Sequence, residues 1–288
     1  MSNLIGRMPP QHAPVRTGPE APPGGAERRR IDVFTWDLFE NETVRALVTT
    51  RAGGVSVGRF GTLNLGLHVG DDDRAVVENR RRAVGILGAG LDDLVVAEQI
   101  HGTTVAVVGR ADAGRGARSA ADALAATDAL VTTEPGLVLA VLAADCAPVA
   151  LYDPVAGVLG CVHAGWRGAL SGVLEAAVAT MTSLGARPEH LLAGIGPTIA
   201  AHRYEVGPDV LAGATEVLGS AEPWCRPGRP GHWWFDLAGA VGTLLRRAGI
   251  DPSRLETAPV GTGPPGPFYS FRAEGTCGRF ALLARIGP

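Results

Sequence analysis

Two apolar segments in the middle of the chain end in residues that can bind a metal or act as nucleophiles. The segment at 137–144 leads directly into Asp145 and Cys146, and the segment at 158–162 leads into His163. Short, near-continuous runs rich in Val and Leu are typical of buried strands. Side chains at the ends of such strands lie where a rigid scaffold meets a loop, and functional sites are usually built there. We therefore take these three residues as the first candidates for chemistry.

A second histidine, His101, follows another short predicted strand at 94–97. Two imidazoles and a thiolate are suitable zinc ligands, and three protein ligands with an open fourth position are typical of catalytic zinc. His101, Cys146 and His163 could instead form a Cys–His nucleophilic pair with a second histidine nearby. Each could also be an ordinary buried cysteine or a hydrogen-bonded histidine of the fold. Residue types and spacing alone leave these interpretations open.

Arginines in loops next to Gly or Ser are candidates for holding an anionic substrate. Arg51, Arg167 and Arg272 all have such neighbours. A guanidinium can hold phosphate or carboxylate through two parallel hydrogen bonds. The glycine-rich turn that follows Arg51 matches neither the P-loop nor the dinucleotide-binding fingerprint. His68, near another turn, is a further polar candidate.

Strands and helices mix along the chain from residue 31. Hydrophobic patterning predicts strands at 33–36, 44–49, 94–97, 104–108, 127–131, 137–144, 149–152, 158–162, 191–195 and 280–286. It predicts helices at 74–87, 170–184, from Pro208, and at 237–248. We expect a tight turn at 164–168 and a solvated face for the basic run at 80–82. These elements indicate an α+β protein, a single mixed α/β sandwich domain over 31–288, preceded by a disordered extension at 1–30.

Composition excludes several classes of function. The 288 residues are 46% hydrophobic and 19% charged, with a net charge of −3. This charge gives no indication that the protein binds nucleic acid or a membrane surface. All 26 basic residues are arginine, which excludes lysine nucleophiles. The four cysteines show no CxxC pairing, and no apolar run reaches the ~18 residues of a membrane span. We expect a cytoplasmic protein with no signal peptide and no evident protein partner.

Short motifs occur in a characteristic order along the chain. They are TRAGGVS at 50–56, LNLG at 63–66, EQIHG at 98–102, TDA at 127–129, ADCAPV at 144–149, VHAGWRG at 162–168, GIGP at 194–197, YEV at 204–206 and YSFR at 269–272. Over roughly residues 31–288 the chain closely resembles the YfiH family, also called the laccase-domain or multicopper polyphenol oxidase family.

The resemblance implies an α+β fold of the YfiH type, akin to cysteine-hydrolase-like bacterial deamidase toxins. It implies purine nucleoside phosphorylase activity on a zinc site, with adenosine deaminase and methylthioadenosine phosphorylase side activities. Carried over by motif, the metal ligands are His101, Cys146 and His163. This favours zinc over the nucleophile interpretation. The family usually has a second arginine directly after Arg272, where this chain has Ala273.

Substrate-binding roles follow as hypotheses from this activity. Arg51 and Arg167 are candidates for phosphate, because guanidinium groups can fix its orientation. Asn64 or Gln99 could hydrogen-bond the nucleoside. Asp145, next to a ligand cysteine, could orient a ligand histidine or act on the purine.

Three alternatives remain at this stage. A copper polyphenol oxidase fits poorly, because the chain lacks paired HxH motifs and an axial Met near a His–Cys–His group. The resemblance also raises a cytosolic enzyme that edits peptidoglycan precursors. A non-enzymatic scaffold would hold no metal and would tolerate substitution of His163.

Overall fold

The computed structural model describes residues Arg16–Thr17 and 31–287 of the 288-residue chain. The predicted disordered extension at 1–30 lies outside the described residues, apart from Arg16–Thr17. Within the described part, no helix is both long and apolar enough to cross a membrane.

Strands of the described residues form two six-stranded sheets and one three-stranded sheet. In chain order they are β1 (Arg16–Thr17), β2 (Asp32–Phe34), β3 (Val44–Thr49), β4 (Leu94–Val96), β5 (Val105–Val107), β6 (Ala129–Thr132), β7 (Val138–Ala143), β8 (Ala147–Asp153), β9 (Val158–Ala164), β10 (Leu192–Ile195), β11 (Glu205–Val206), β12 (Cys225–Pro227), β13 (Trp233–Phe235), β14 (Leu255–Thr257) and β15 (Phe280–Ile286). The first sheet has the order β1-β2-β3-β15-β7-β4, the second β14-β10-β8-β9-β6-β5, and the small one β11-β13-β12.

The α-helices of the described residues flank the two large sheets. They are α1 (Asp73–Gly85), α2 (Trp166–Ser171), α3 (Val173–Ser183), α4 (Pro208–Leu218), α5 (Leu237–Arg247) and α6 (Phe271–Glu274). Two of them begin at aspartate caps: Asp72 accepts from the Arg74 amide at 2.8 Å, and Asp236 accepts from the Gly239 amide at 2.9 Å.

Three apolar cores define the layers of the sandwich. One contains Val84 of α1 with Leu47 and Leu283 of the first sheet, so α1 covers the outer face of that sheet. A second contains Val141 of the first sheet and Leu159 of the second, so the two sheets pack face to face. The third joins the second sheet to α2–α5. The order helix, sheet, sheet, helices is the predicted mixed α/β sandwich.

The segment after β9 differs from its prediction. The sequence predicts a tight turn at 164–168 before a helix, but α2 begins at Trp166, inside that turn. Gly172 has a φ of 99°, which ends α2 and separates it from α3. The helix therefore begins four residues earlier than predicted and is interrupted. As a result Arg167 lies in the first turn of a helix rather than in a loop.

The predicted solvated face of the basic run at 80–82 is wrong for Arg80. This side chain is 4% exposed, whereas Arg81 is exposed and pairs with Glu78. The helical period explains the difference, because Arg80 lies one turn from both Val76 and Val84 and shares their buried face.

Candidate metal centre and its cavity

Two of the three candidate ligands lie where the chain passes from the first sheet to the second. His101 lies between β4 and β5, and Cys146 lies between β7 and β8. His163 is in β9, whose register pairs it with Pro148, two residues after Cys146. The face-to-face packing of the sheets therefore brings together three residues that are far apart in sequence.

The three side chains form one compact group. The Cys146 Sγ lies 3.6 Å from the His101 Nε2, and the ring centroids of His101 and His163 are 4.8 Å apart. One ligand atom from each residue lies within 4.8 Å of the others, so the group could hold a metal ion. The lack of a side chain at Gly165 lets His101 and Cys146 lie this close to the backbone, because a Cβ there would be 2.7 Å from the His101 Cδ2 and 3.0 Å from the Cys146 Sγ.

A buried carboxylate, Asp128, holds both histidines. Its Oδ1 accepts from the His163 Nδ1 at 2.8 Å and from the His101 amide at 2.9 Å. Its Oδ2 accepts from the amides of Ile100 at 3.1 Å and Gly102 at 2.7 Å. The His101 backbone has a φ of 63°, which these contacts to neighbouring amides stabilise. The bond at Nδ1 leaves the His163 Nε2 free to bind a metal.

Electrostatics favours a thiolate at Cys146. Burial raises the pKa of the thiol, but the charge of His163 and hydrogen bonds from His101 and His163 outweigh burial and lower it. Burial lowers the pKa of His163, but Cys146 and Asp128 outweigh it and raise the pKa. Burial likewise raises the pKa of Asp128, and the bond from His163 and the Gly102 amide lower it overall. A thiolate is the form of cysteine that binds metals.

The group opens into a cavity of about 680 Å³ with a strongly basic wall. Four arginines line it: Arg80, Arg167, Arg272 and Arg279. Among the described residues, none of the four guanidinium groups has a carboxylate oxygen within 4.0 Å. The remaining wall includes aromatic side chains, namely Trp166, Tyr204 and Phe271. Positive charge beside apolar rings suits a ligand with an anionic part and a flat, partly apolar part.

Two predicted substrate-binding residues, Arg51 and Asn64, do not line the cavity. Arg51 does not line the cavity; it pairs with Glu274 at 3.0 Å and lies over the ring of Tyr269 at 4.5 Å. Asn64 is fully buried, and its amide is engaged with Gly66, Asp71 and Arg279. One partner of each residue is distant in sequence, Glu274 for Arg51 and Arg279 for Asn64, so local sequence does not reveal that these polar atoms are occupied.

The other predicted residues lie at the cavity. Arg167 lines it with its guanidinium over the ring of Trp166 at 4.4 Å. Gln99 also lines it, but its amide donates to the Leu142 carbonyl and accepts from the Leu142 amide, both at 2.8 Å. Gln99 thus extends the pairing beyond β4 and β7, with its polar atoms already occupied.

Asp145 lines the cavity but does not orient a ligand histidine. Its carboxylate accepts from the Thr262 hydroxyl at 2.5 Å and from the Arg272 amide at 2.6 Å. The carboxylate that orients a histidine is Asp128, which sequence reasoning missed. A polar residue directly before a buried strand, within the quoted TDA motif, was the available signal. Ala273, where a second arginine was expected, is exposed, and its amide donates to Ser270.

Comparisons with known proteins identify the family. The model of the family described as multi-copper polyphenol oxidoreductase laccase matches residues 45–287. The chain belongs to this family. It is the YfiH family of the sequence motifs: the solved YfiH protein of Bacillus licheniformis superposes with a TM-score of 0.83 at 32% identity, covering 91% of this chain and 97% of that one. YlmD of Geobacillus stearothermophilus superposes with a TM-score of 0.85 at 34% identity, covering 92% and 98%.

Curated relatives in this family carry an enzyme name. A purine nucleoside phosphorylase of Corynebacterium glutamicum is 41% identical over 242 residues, which cover 84% of this chain and 94% of the relative. A purine nucleoside phosphorylase of Streptomyces griseus is 42% identical over 236 residues, which cover 81% and 90%. The family description and the names of these relatives thus point to different reactions.

Proposed function

We propose that this protein is a zinc-dependent purine nucleoside phosphorylase. It would convert adenosine, inosine, guanosine or methylthioadenosine and phosphate to the free base and the corresponding ribose 1-phosphate. The observation that carries the proposal is the shared cavity, in which the His101–Cys146–His163 group faces four arginines without carboxylate partners among the described residues. The relatives named purine nucleoside phosphorylase support the same reaction.

The donor set fits zinc. With Zn–S near 2.3 Å and Zn–N near 2.05 Å, tetrahedral ligand atoms lie about 3.6 Å apart. The Cys146 Sγ and the His101 Nε2 are 3.6 Å apart. His101, Cys146 and His163 would hold the ion, with Asp128 fixing the two histidines. When bound, zinc would supply Lewis-acid polarisation of an oxygen at the fourth, cavity-facing position.

Phosphorolysis needs one bond to form and one to break at the anomeric carbon. A phosphate oxygen forms a bond to C1′ while the C1′–N9 bond breaks, and its electron pair leaves with the purine, which takes up a proton. Arginines of the cavity would hold the phosphate and balance its charge. Aromatic side chains such as Tyr204 and Trp166 would contact the purine.

Deamination is proposed as a side activity of the same site. Water would add at C6 of adenosine, and ammonia would leave to give inosine. The basic wall is not needed for this reaction because no anion takes part. We therefore expect deamination, unlike phosphorolysis, to proceed without phosphate.

The test is chromatography of adenosine and inosine incubated with metal-quantified protein, with and without phosphate. We expect phosphate-dependent release of free base, and loss of both bound metal and turnover in Cys146→Ala, which removes a ligand. Cys161→Ala is the matched control, since Cys161 is buried in the core between the sheets. Full activity of protein stripped of metal would contradict the scheme.

The two alternative enzymes predict different products. A copper polyphenol oxidase would consume oxygen with a phenol, but its chemistry needs several copper sites, and the described residues hold one such group of three His, Cys or acidic ligands. An editing enzyme for peptidoglycan precursors would leave nucleosides unchanged. Absence of both base release and deamination by zinc-loaded protein would favour the editing enzyme.

A further inference from the structure

The basic residues of the cavity fall into two groups with different surroundings. We call His68, Arg80 and Arg279 the inner group, and Arg167 and Arg272 the rim group. Arg80 is 4% exposed and lies on the buried face of α1, and Arg279 is half-buried, whereas His68 and both rim arginines are exposed. Burial and the charge of Arg279 lower the pKa of His68, so this histidine contributes a hydrogen-bonding group rather than a charge at neutral pH. All five residues line the cavity that contains the candidate metal centre.

Both inner arginines are held in place by hydrogen bonds to the backbone of the same residue, Leu65. The Arg80 Nε donates to the Leu65 carbonyl at 2.8 Å, and the Leu65 amide donates to the Arg279 carbonyl at 2.9 Å. The buried Asn64 accepts from the Arg279 amide at 2.9 Å. His68 lies on the same loop and close to Arg279. A Cβ on Gly66 would be 2.9 Å from the Arg279 Cγ and 3.4 Å from the His68 Cε1, so Gly66 lies against both side chains. The inner group is therefore preorganised.

The inner guanidinium groups retain free donors, and among the described residues no carboxylate is in ion-pair contact with them. Arg80 donates through Nη1 to the carbonyls of Gly116 and Ala117, and Arg279 donates through Nη1 to those of Cys277 and Gly278. Among the described residues, the Nη2 of each arginine donates to none, and neither arginine has a carboxylate within 4.0 Å. Burial of a cation without an anion is costly, since carbonyl dipoles do not neutralise its charge.

The rim arginines lie closer to aromatic rings than Arg279 of the inner group, whose guanidinium is 5.8 Å from the Phe271 ring centroid. The Arg167 guanidinium lies 4.4 Å from the Trp166 ring centroid, and that of Arg272 lies 4.9 Å from the Tyr204 ring centroid. The Arg272 Nη1 also donates to the Glu205 carbonyl at 2.6 Å. These flat stacked surfaces suit a planar heterocycle better than a small tetrahedral anion.

We propose that the inner group of His68, Arg80 and Arg279 is the phosphate subsite, and that the rim group contacts the nucleoside. The assignment rests on the proposed function, because it takes phosphate as the co-substrate. It differs from the sequence-based hypothesis, which gave phosphate to Arg51 and Arg167, because it assigns neither of them to phosphate and gives Arg167 to the nucleoside. Two guanidinium groups with free Nη2 atoms provide the charge-assisted bonds that a phosphate dianion requires.

The experiment compares charge-matched variants of the metal-loaded full chain. Calorimetry measures the Kd for inorganic phosphate, and steady-state assays measure KM for phosphate and for inosine. The variants are Arg279→Gln in the inner group, Arg272→Gln in the rim group, and Arg74→Gln, which removes an exposed charge from α1. Gly66→Ala, which displaces the inner group without a change of charge, serves if Arg279→Gln fails to fold.

We expect Arg279→Gln to raise the Kd and KM for phosphate about tenfold to a hundredfold, the effect of one charge-assisted bond of about 1.5–3 kcal/mol. KM for inosine should change less than about threefold. Arg272→Gln should show the reverse pattern, and Arg74→Gln neither effect. An unchanged phosphate Kd in the inner-group variant, or a phosphate loss confined to Arg272→Gln, would overturn the subsite.

Failure of the subsite and failure of the proposed function give different results. If the parent protein releases base with phosphate but Arg279→Gln keeps its phosphate affinity, the subsite is wrong and the phosphorylase stands. If the parent binds phosphate through Arg279 but cleaves no nucleoside, the subsite stands and the phosphorylase is wrong. A parent protein that binds no phosphate overturns the subsite directly.

Discussion

Asp128→Asn tests the claim that one carboxylate holds both ligand histidines. The carboxylate accepts four hydrogen bonds, from the Nδ1 of His163 and from the amides of Ile100, His101 and Gly102. An asparagine keeps the shape but replaces one acceptor oxygen with a donor NH₂. If the NH₂ faces Ile100 and Gly102, both of their amides are unpaired; if it faces His163, the His101 amide is unpaired while the His163 Nδ1 can accept from the NH₂ after a change of tautomer. At about 1–3 kcal/mol for each unpaired donor, the free energy of unfolding should fall by about 1–6 kcal/mol.

The effect on metal binding has a separate cause. If the new NH₂ faces the His163 Nδ1, it favours the tautomer with its proton on Nε2, and that nitrogen then cannot bind a metal. If it faces Ile100 and Gly102, the loop that carries His101 loosens. Loss of such a supporting partner typically reduces metal affinity about tenfold to a hundredfold. Competition with a chromogenic chelator measures this affinity, and urea unfolding measures the stability.

Asp153→Asn is the matched control. Asp153 is also fully buried and accepts from three backbone amides, those of Val155, Ala156 and Arg187, but it lies outside the cavity. We expect a comparable loss of stability with unchanged metal affinity. The reasoning is refuted if Asp128→Asn binds metal as tightly as the parent, or if Asp153→Asn loses as much metal affinity.

Two further predictions concern packing and pH. Gly165→Ala should reduce metal affinity at least tenfold in the chelator assay, because its Cβ would lie 2.7 Å from the His101 Cδ2; Gly85→Ala, which meets open space, should not. Burial raises the pKa of Asp153, but hydrogen bonds from backbone amides outweigh burial and lower it. The ionised Asp153 therefore stabilises the folded protein at pH values above ~3.9, the pKa of an aspartate in the unfolded chain, and this stabilisation is lost as the pH falls below that value. The stability gap between parent and Asp153→Asn in urea unfolding should therefore narrow between about pH 5 and pH 3; a constant gap would contradict this.

Regular elements of the fold were predictable because local pattern determines them. The strands predicted at 44–49 and 280–286 match β3 and β15, and the helix predicted at 237–248 matches α5 to within one residue. The interruption of the helix after β9 was not, because Gly172 lies within an otherwise continuous apolar period. Its φ of 99° depends on how α2 and α3 each pack, which a period of 3.6 residues does not reveal.

Arg80 shows a signal that was present in the sequence but not used. Val76, Arg80 and Val84 are spaced by four residues, so the helical period places the arginine inside the apolar stripe of α1. A charge at such a position indicates a buried partner or a ligand. Arg51 shows the opposite limit: its partner Glu274 is 223 residues away, and no local pattern reveals it.

Two buried aspartates support different parts of the cavity, Asp128 the candidate metal centre and Asp145 the rim group. The Asp128 carboxylate accepts from the segments that carry His101 and His163. Asp145 directly precedes Cys146, and its carboxylate accepts from the backbone amide of Arg272. Asp145 has a φ of 96°, and its carbonyl also accepts from Thr198 at 2.6 Å. A non-glycine residue keeps such a backbone only where the surrounding contacts hold it. The crossing from β7 to β8 therefore fixes the ligand cysteine and the rim arginine together, so a change in Arg272 geometry is transmitted to the candidate metal centre through two adjacent residues.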